Sequence, residues 1–190
     1  DSLLRFFRDW VAPVSPGRVR VYSNPSIGLL GRLTARALGK PFIRAVEDDL
    51  LPRLGLHETY IEVPDRAESA YAWGYDGENR RVRVSPGPLD AEAYGIKSNA
   101  SDLVRYLEIQ SAAEEAEGPL GDALRTTQSG FHGVGPMTQG LGWEHYAYPT
   151  SLDTLLQGNS PAGLFQPNEV DESVSSESAR LCNKTGSTRG

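Results

Sequence analysis

Cysteine, histidine, methionine and lysine are all scarce in this 190-residue chain. The single cysteine, Cys182, excludes an internal disulfide and leaves the redox compartment open. His57, His132 and His145 are scattered without metal-ligand spacing, so surface or structural roles are expected for them, with no metal and no cofactor. No apolar run reaches the roughly 18 residues that a membrane-spanning helix requires, and nothing at the N-terminus has the form of a signal peptide. Positive charge is also short, at a net −6. That balance argues against nucleic acid, which wants a basic face, and against an anionic membrane surface; the acidic excess serves solubility. Lysine occurs only at positions 40, 97 and 184, and Ala37, Tyr94 and Leu181 stand three places before them. The sequence therefore contains no Ser-x-x-Lys.

What is present is the composition of a globular protein, 38% apolar and 8% aromatic, at a length that suits one domain with a real core. Neither an internal repeat nor a linker interrupts it. Leu3 to Trp10 reads as an amphipathic helix whose apolar side is already committed to a partner. A natural chain rarely starts mid-architecture like this, so a truncated product is expected. Pro13, Pro16 and Gly17 form a loop that delivers Val19-Arg20-Val21 to Tyr22. Asn24 is expected to cap a helix that accepts Pro25 in its first turn and runs to Leu38. Ile27, Leu30, Leu33 and Ala37 recur there at helical spacing, and Gly28 and Gly31 add a small-residue stripe that admits another backbone. Pro41 opens a further helix closing at Gly55, with Phe42, Val46, Leu50 and Leu54 inward and Glu47-Asp48-Asp49 on a solvated face.

After Tyr60 the period changes. Tyr71 to Tyr75 and Arg81 to Val84 read as a hairpin around Asp76-Gly77, with a two-residue turn or a slightly longer loop. Ser85 to Lys97 reads as a long loop, of a length that tends to be functional. Asn99 followed by Asp102 signals the cap of a helix through Leu103, Val104 and Leu107. A shorter helix is expected over Leu120 to Thr127, a strand over Gly140 to Glu144 and one or two helical turns over Leu152 to Leu156. Gly158 to Ala179 reads as a mobile surface loop, and Leu181 begins the final strand. Trp10, Trp73 and Trp143 are expected to be packing anchors, and Cys182 a small buried apolar residue.

Chemistry enters with Lys184-Thr185-Gly186 on the final strand and Tyr22-Ser23-Asn24 before the long helix. Lys-Thr-Gly, a Ser- or Tyr-x-Asn and Ser-x-x-Lys are the three elements of serine enzymes that open cyclic amides and peptidyl-alanine bonds. Two of the three are here. Opening an amide through a serine ester needs a base for the hydroxyl proton, donors for the oxyanion and a cation for the substrate's carboxylate. Tyr22 can be the base if its pKa falls from about 10 toward neutrality, which a nearby ammonium achieves, and Lys184 is the one this chain offers. Asn24 can donate to a substrate carbonyl and accept from a lysine at once. Strand alternation puts Lys184 and Gly186 on one face, the glycine letting an extended substrate approach the backbone while Thr185 adds a hydroxyl.

Longer stretches carry a resemblance. Tyr22 to Leu29 (YSNPSIGL), Tyr71 to Tyr75 (YAWGY), Ser85 to Lys97 (SPGPLDAEAYGIK), Gly140 to Glu144 (GLGWE) and Asn183 to Thr188 (NKTGST) together resemble class C (AmpC-type) β-lactamases. The resemblance runs from Asp1 to Gly190 and corresponds to about half of the family's mature chain, its middle and later part. It implies an α+β fold of the β-lactamase/penicillin-binding-protein type. Residues 1–190 would form a partial catalytic domain, a helical subdomain plus the strand that ends at Lys-Thr-Gly. The family's signal peptide and Ser-x-x-Lys serine would precede Asp1, and further strands and a helix would follow Gly190.

By that resemblance Tyr22 is the general base and proton shuttle and Lys184 its electrostatic support. Asn24 binds the substrate's amide side chain, Thr185 the β-lactam carboxylate, Gly186 lines the cleft, and the backbone N–H of Ser187 is an oxyanion donor. The loop bearing Tyr94 forms a wall of the site. Arg189 departs from the family pattern, where Asn or Gly is expected. The implied partner is a small β-lactam, the implied place the periplasm, and the implied state a monomer when complete. A D-alanyl-D-alanine peptidase or esterase of the same fold and a non-catalytic fragment are the competing readings.

Overall fold

Side-chain caps from Ser23, Asn99, Ser151 and Ser160 open four of the helices in the computed structural model, which describes residues 2–171 and 180–186. In chain order the elements are α1 (Ser2–Asp9), β1 (Val19–Arg20), α2 (Asn24–Leu38) and α3 (Phe42–Arg44). A π turn (Ala45–Leu50) leads from α3 into α4 (Leu51–Arg53), and a 3-10 turn (Asp65–Ala70) precedes the hairpin β2 (Gly74–Tyr75) and β3 (Arg81–Val82). There follow α5 (Asp90–Tyr94), α6 (Ala100–Ser111), α7 (Gly118–Gln128), β4 (His132–Val134), β5 (Met137–Gln139) and β6 (Glu144–Ala147). Last come α8 (Leu152–Gly158), α9 (Pro161–Phe165), β7 (Asn168–Glu169) and β8 (Arg180–Asn183). These divide between two compact units, one within Asp1–Tyr22 and Ala113–Gly186, the other within Ser23–Ala112.

The first unit is built on an antiparallel sheet in the order β4-β5-β6-β8, and β1 pairs antiparallel with β7. Its centre is Val134, Met137 and Tyr146, with Leu155, Val170 and Leu181 packed against them. Gly158 is required here, because a side chain at that position would run into the Tyr146 hydroxyl. Four expectations change. Gly140 to Trp143 is a turn, closed by Gly140 N–H donating to the Trp143 carbonyl (2.8 Å) with Gly142 at φ 90°, so the strand starts only at Glu144. The segment after Gly158 contains α9, capped by Ser160, and β7, while residues 172–179 lie outside the described residues. Finally, β8 stops at Asn183, so Lys184-Thr185-Gly186 follows the strand and strand alternation does not orient it. Cys182 is exposed rather than buried.

In the second unit Ser23, not Asn24, caps α2. Its hydroxyl accepts from Ser26 N–H (3.2 Å), which leaves Asn24 as the first helical residue, and Gly39 at φ 64° ends the helix. The packed face of α2 is the small-residue stripe Gly28, Gly31 and Ala35. A Cβ at Gly28 would lie 2.6 Å from Leu89 Cβ, and one at Gly31 2.7 Å from Glu92 Cβ, so α5 lies almost on the α2 backbone. Ile27, Leu30 and Leu33 are exposed. That close approach also explains why Ser85 to Lys97 is not a structureless loop but folds α5 within it.

The π turn shifts the next helix by one residue. Leu51 N–H reaches the Val46 carbonyl five residues back, so Val46, Leu51 and Leu54 are buried and Leu50 is exposed. Glu47, expected on a solvated face, instead accepts from Ile61 N–H (2.7 Å) and Glu62 N–H (2.9 Å). The hairpin takes the longer loop, with Asp76 Oδ1 accepting from the N–H groups of Glu78 and Arg80. Asn99 does cap α6, accepting from Asp102 N–H (2.8 Å), and the Asp102 carboxylate in turn holds Glu58 N–H and the Thr59 hydroxyl. Trp73 is half exposed, its face covered by the Arg83 guanidinium 4.0 Å from the ring centroid.

Candidate active site

Tyr22 sits just beyond β1, where a backbone that has left its strand partner needs another acceptor. It finds one in the Leu164 carbonyl, which takes the Tyr22 N–H at 3.2 Å. The next residue, Phe165, meets the Tyr22 ring edge-on with centroids 6.4 Å apart, an arrangement the two ring quadrupoles favour. The short helix α9 therefore fixes both the backbone and the ring of Tyr22.

Lys184 arrives from the opposite direction in sequence. Pairing of β8 with β6 carries the chain to Asn183, and the Lys184 ammonium lies 5.1 Å from the Tyr22 ring centroid. The same ammonium donates to the Thr185 carbonyl. The approach is a cation–π contact, and it brings the two sequence motifs together in space. Thr185 and Gly186 are exposed, and a Cβ at Gly186 would meet nothing within 4 Å, so the backbone there is open to a ligand.

The remaining expected residues fall elsewhere. Asn24 and Tyr94 belong to the second unit. Asn24 is exposed in the first turn of α2. Tyr94 ends α5, and a Cβ at Gly87 would be 3.1 Å from its hydroxyl, so the glycine leaves room for that phenol. Ser187 and Arg189 lie outside the described residues. Among the described residues no cluster of His, Cys, Asp and Glu has the makings of a metal site, and no helix is long and apolar enough to cross a membrane.

Two residues near Tyr22 escaped the sequence reading. Arg20 and Glu144 form an ion pair at 3.1 Å whose side chains are only 13% and 1% exposed. The sequence shows each as an ordinary charge on a short strand. Only their burial against each other in the folded unit marks them out.

Known proteins match this chain along its whole length. The family model described as Beta-lactamase matches residues 1–190. The β-lactamase of Pseudomonas fluorescens is 47% identical over 192 residues, covering 100% of this chain and 54% of that protein. The crystal structure of a β-lactamase/D-alanine carboxypeptidase from Pseudomonas syringae superposes with a TM-score of 0.93 at 43% identity, covering 99% of this chain and 53% of the other. A class C β-lactamase from Rhodobacter sphaeroides gives a TM-score of 0.91 at 40% identity, covering 99% and 54%. The chain thus spans about half the length of the relatives it matches.

Proposed function

The chain belongs to the Beta-lactamase family, and from that premise we propose that it supplies the general-base half of a class C serine β-lactamase acting on cephalosporins and penicillins through an acyl-enzyme. The observation that carries this reading is the approach of the Lys184 ammonium to the Tyr22 ring at 5.1 Å. In the proposed reaction Tyr22 takes the hydroxyl proton of a serine supplied by the other half of the family fold. The serine oxygen bonds to the lactam carbonyl carbon, the C–N bond breaks, and the proton passes to the departing nitrogen. Water then repeats the sequence on the ester and frees the serine. Lys184 holds positive charge beside the phenol and beside the substrate carboxylate, with Thr185 as a second contact for that carboxylate. The family resemblance assigns Asn24 to the amide side chain, Ser187 N–H to the oxyanion and Tyr94 to a wall of the site, and Gly186 leaves the backbone accessible. No cofactor takes part, the partner is the small β-lactam alone, and the complete enzyme is a periplasmic monomer. The 190 residues by themselves, lacking a Ser-x-x-Lys, are inactive.

The printed name of the Pseudomonas syringae structure supports a second reading, a D-alanine carboxypeptidase. Both are tested in a chimera that joins residues 1–190 to the remaining half of the Pseudomonas fluorescens enzyme. Faster hydrolysis of a chromogenic cephalosporin than of a D-alanyl-D-alanine peptide or an aryl ester supports the lactamase; the reverse order supports the alternatives.

A further inference from the structure

Arg20 lies two residues before Tyr22 and is held at three points. Its Nε donates to Gln139 Oε1 (3.2 Å), Nη1 to the Gly163 carbonyl (2.8 Å) and Nη2 to Glu144 Oε1 (3.1 Å). Each point leads to the candidate site. Gly163 directly precedes Leu164 and Phe165, which hold the backbone and ring of Tyr22. Glu144 stands opposite Asn183 in the β6–β8 register, and Asn183 directly precedes Lys184. Gln139 stands opposite Glu144 in the β5–β6 register, and its amide nitrogen donates to the Gly140 and Trp143 carbonyls in the turn before Glu144. One planar guanidinium therefore ties the support of Tyr22 to the strand that delivers Lys184.

We propose that Arg20 and Glu144 are positioning residues that set the separation between Tyr22 and Lys184. The proposal rests on the catalytic reading of those two residues given above. A buried ion pair is a poor way to gain stability, since apolar residues of similar volume often do as well or better. What the pair provides is geometry. Arginine's rigid fork meets three acceptors in fixed directions, which a flexible lysine does not reproduce. Proton transfer between a base and a reacting atom is sensitive to misplacement on the scale of an ångström, worth up to about 10²-fold in rate. Glu144 Oε2 is buried without a hydrogen-bond partner among the described residues, a cost that a purely structural carboxylate would be expected to avoid.

The test uses the chimera described above, with the chromogenic cephalosporin as substrate. The double variant Arg20→Met/Glu144→Met replaces the pair with apolar side chains. It is expected to keep the parental Tm and KM while kcat falls roughly 10- to 100-fold. Adding Tyr22→Phe to the double variant should cost much less than it costs in the parent, because a misplaced phenol contributes little. Parental kcat in the double variant would overturn the positioning role while leaving the lactamase reading intact. Should the double variant fail to fold, Arg20→Lys decides: a drop in kcat at unchanged KM supports the role, and unchanged kcat overturns it. If Tyr22→Phe in the parent leaves kcat unchanged, the reading of the site fails and the positioning role falls with it.

Discussion

Tyr22 and Lys184 give the sharpest residue-scale expectations. In the chimera, Tyr22→Phe should leave KM near its parental value and cut kcat by roughly 10²- to 10⁴-fold, the usual worth of a general base. Lys184→Ala should weaken both kcat and KM, since one charge serves the phenol and the substrate carboxylate. Asn24→Ala should change the ranking of substrates with different amide side chains more than the rate on any one. His145 makes a different prediction. It is buried on β6, opposite Thr138 and Cys182, and burial first, then the nearby Arg180 charge, lowers its pKa. The unfolded histidine titrates near 6.5. Below that pH the unfolded chain binds a proton that the folded chain does not, so stability falls with falling pH and levels off below the folded pKa. Urea midpoints for the parent should drop between about pH 7 and 5, and His145→Gln should flatten that slope.

At the scale of elements, the packing of α5 on α2 sets the outcome of glycine substitutions. Gly28→Ala gains about 1 kcal/mol of helix propensity in an ordinary helix. Here the new methyl meets Leu89 Cβ at 2.6 Å, a backbone-proximal atom that moves only if α5 moves. Overpacking of that kind costs about 1–3 kcal/mol, so the variant should be less stable than the parent, read as a lower urea midpoint at unchanged m-value. Ser23→Ala should cost about 1 kcal/mol through the lost cap, whereas Asn24→Ala should leave stability nearly unchanged. The two neighbouring substitutions thereby separate the structural residue from the proposed binding residue.

For the whole molecule, the apolar surface left open governs behaviour. Phe6 and Trp10 on and beside α1, Leu30 and Leu33 on α2, and Leu103 and Leu107 on α6 are each more than half exposed. Faces of this kind promote association in water. The 190-residue chain alone should bind a hydrophobic dye, melt over a broad range and form no acyl adduct detectable by mass spectrometry after addition of a penicillin. A sharp cooperative melt with dispersed amide NMR signals, or a stable adduct, would contradict this. The chimera should melt cooperatively over a narrower range than the 190 residues alone.

Local chemistry was legible in the sequence because it depends on neighbours in the chain. The family, the α1 helix, the Asn99 cap of α6, and Tyr22 and Lys184 as the residues to watch all follow from short motifs and helical spacing. What the tertiary structure decided depends on groups distant in sequence. Whether α2 turns its leucines or its glycines inward is set by the approach of α5, and Glu47 faces Ile61 rather than water because a π turn rotates it there. The three-residue strands β4 and β5 are too short to show an alternation and exist through pairing with each other and, for β5, with β6. Above all, the meeting of Tyr22 with Lys184, and the Arg20–Glu144 bond beside it, joins residues more than 120 positions apart. A motif states which groups are available; only the folded sheet and the α9 turn determine that a phenol and an ammonium come within 5.1 Å.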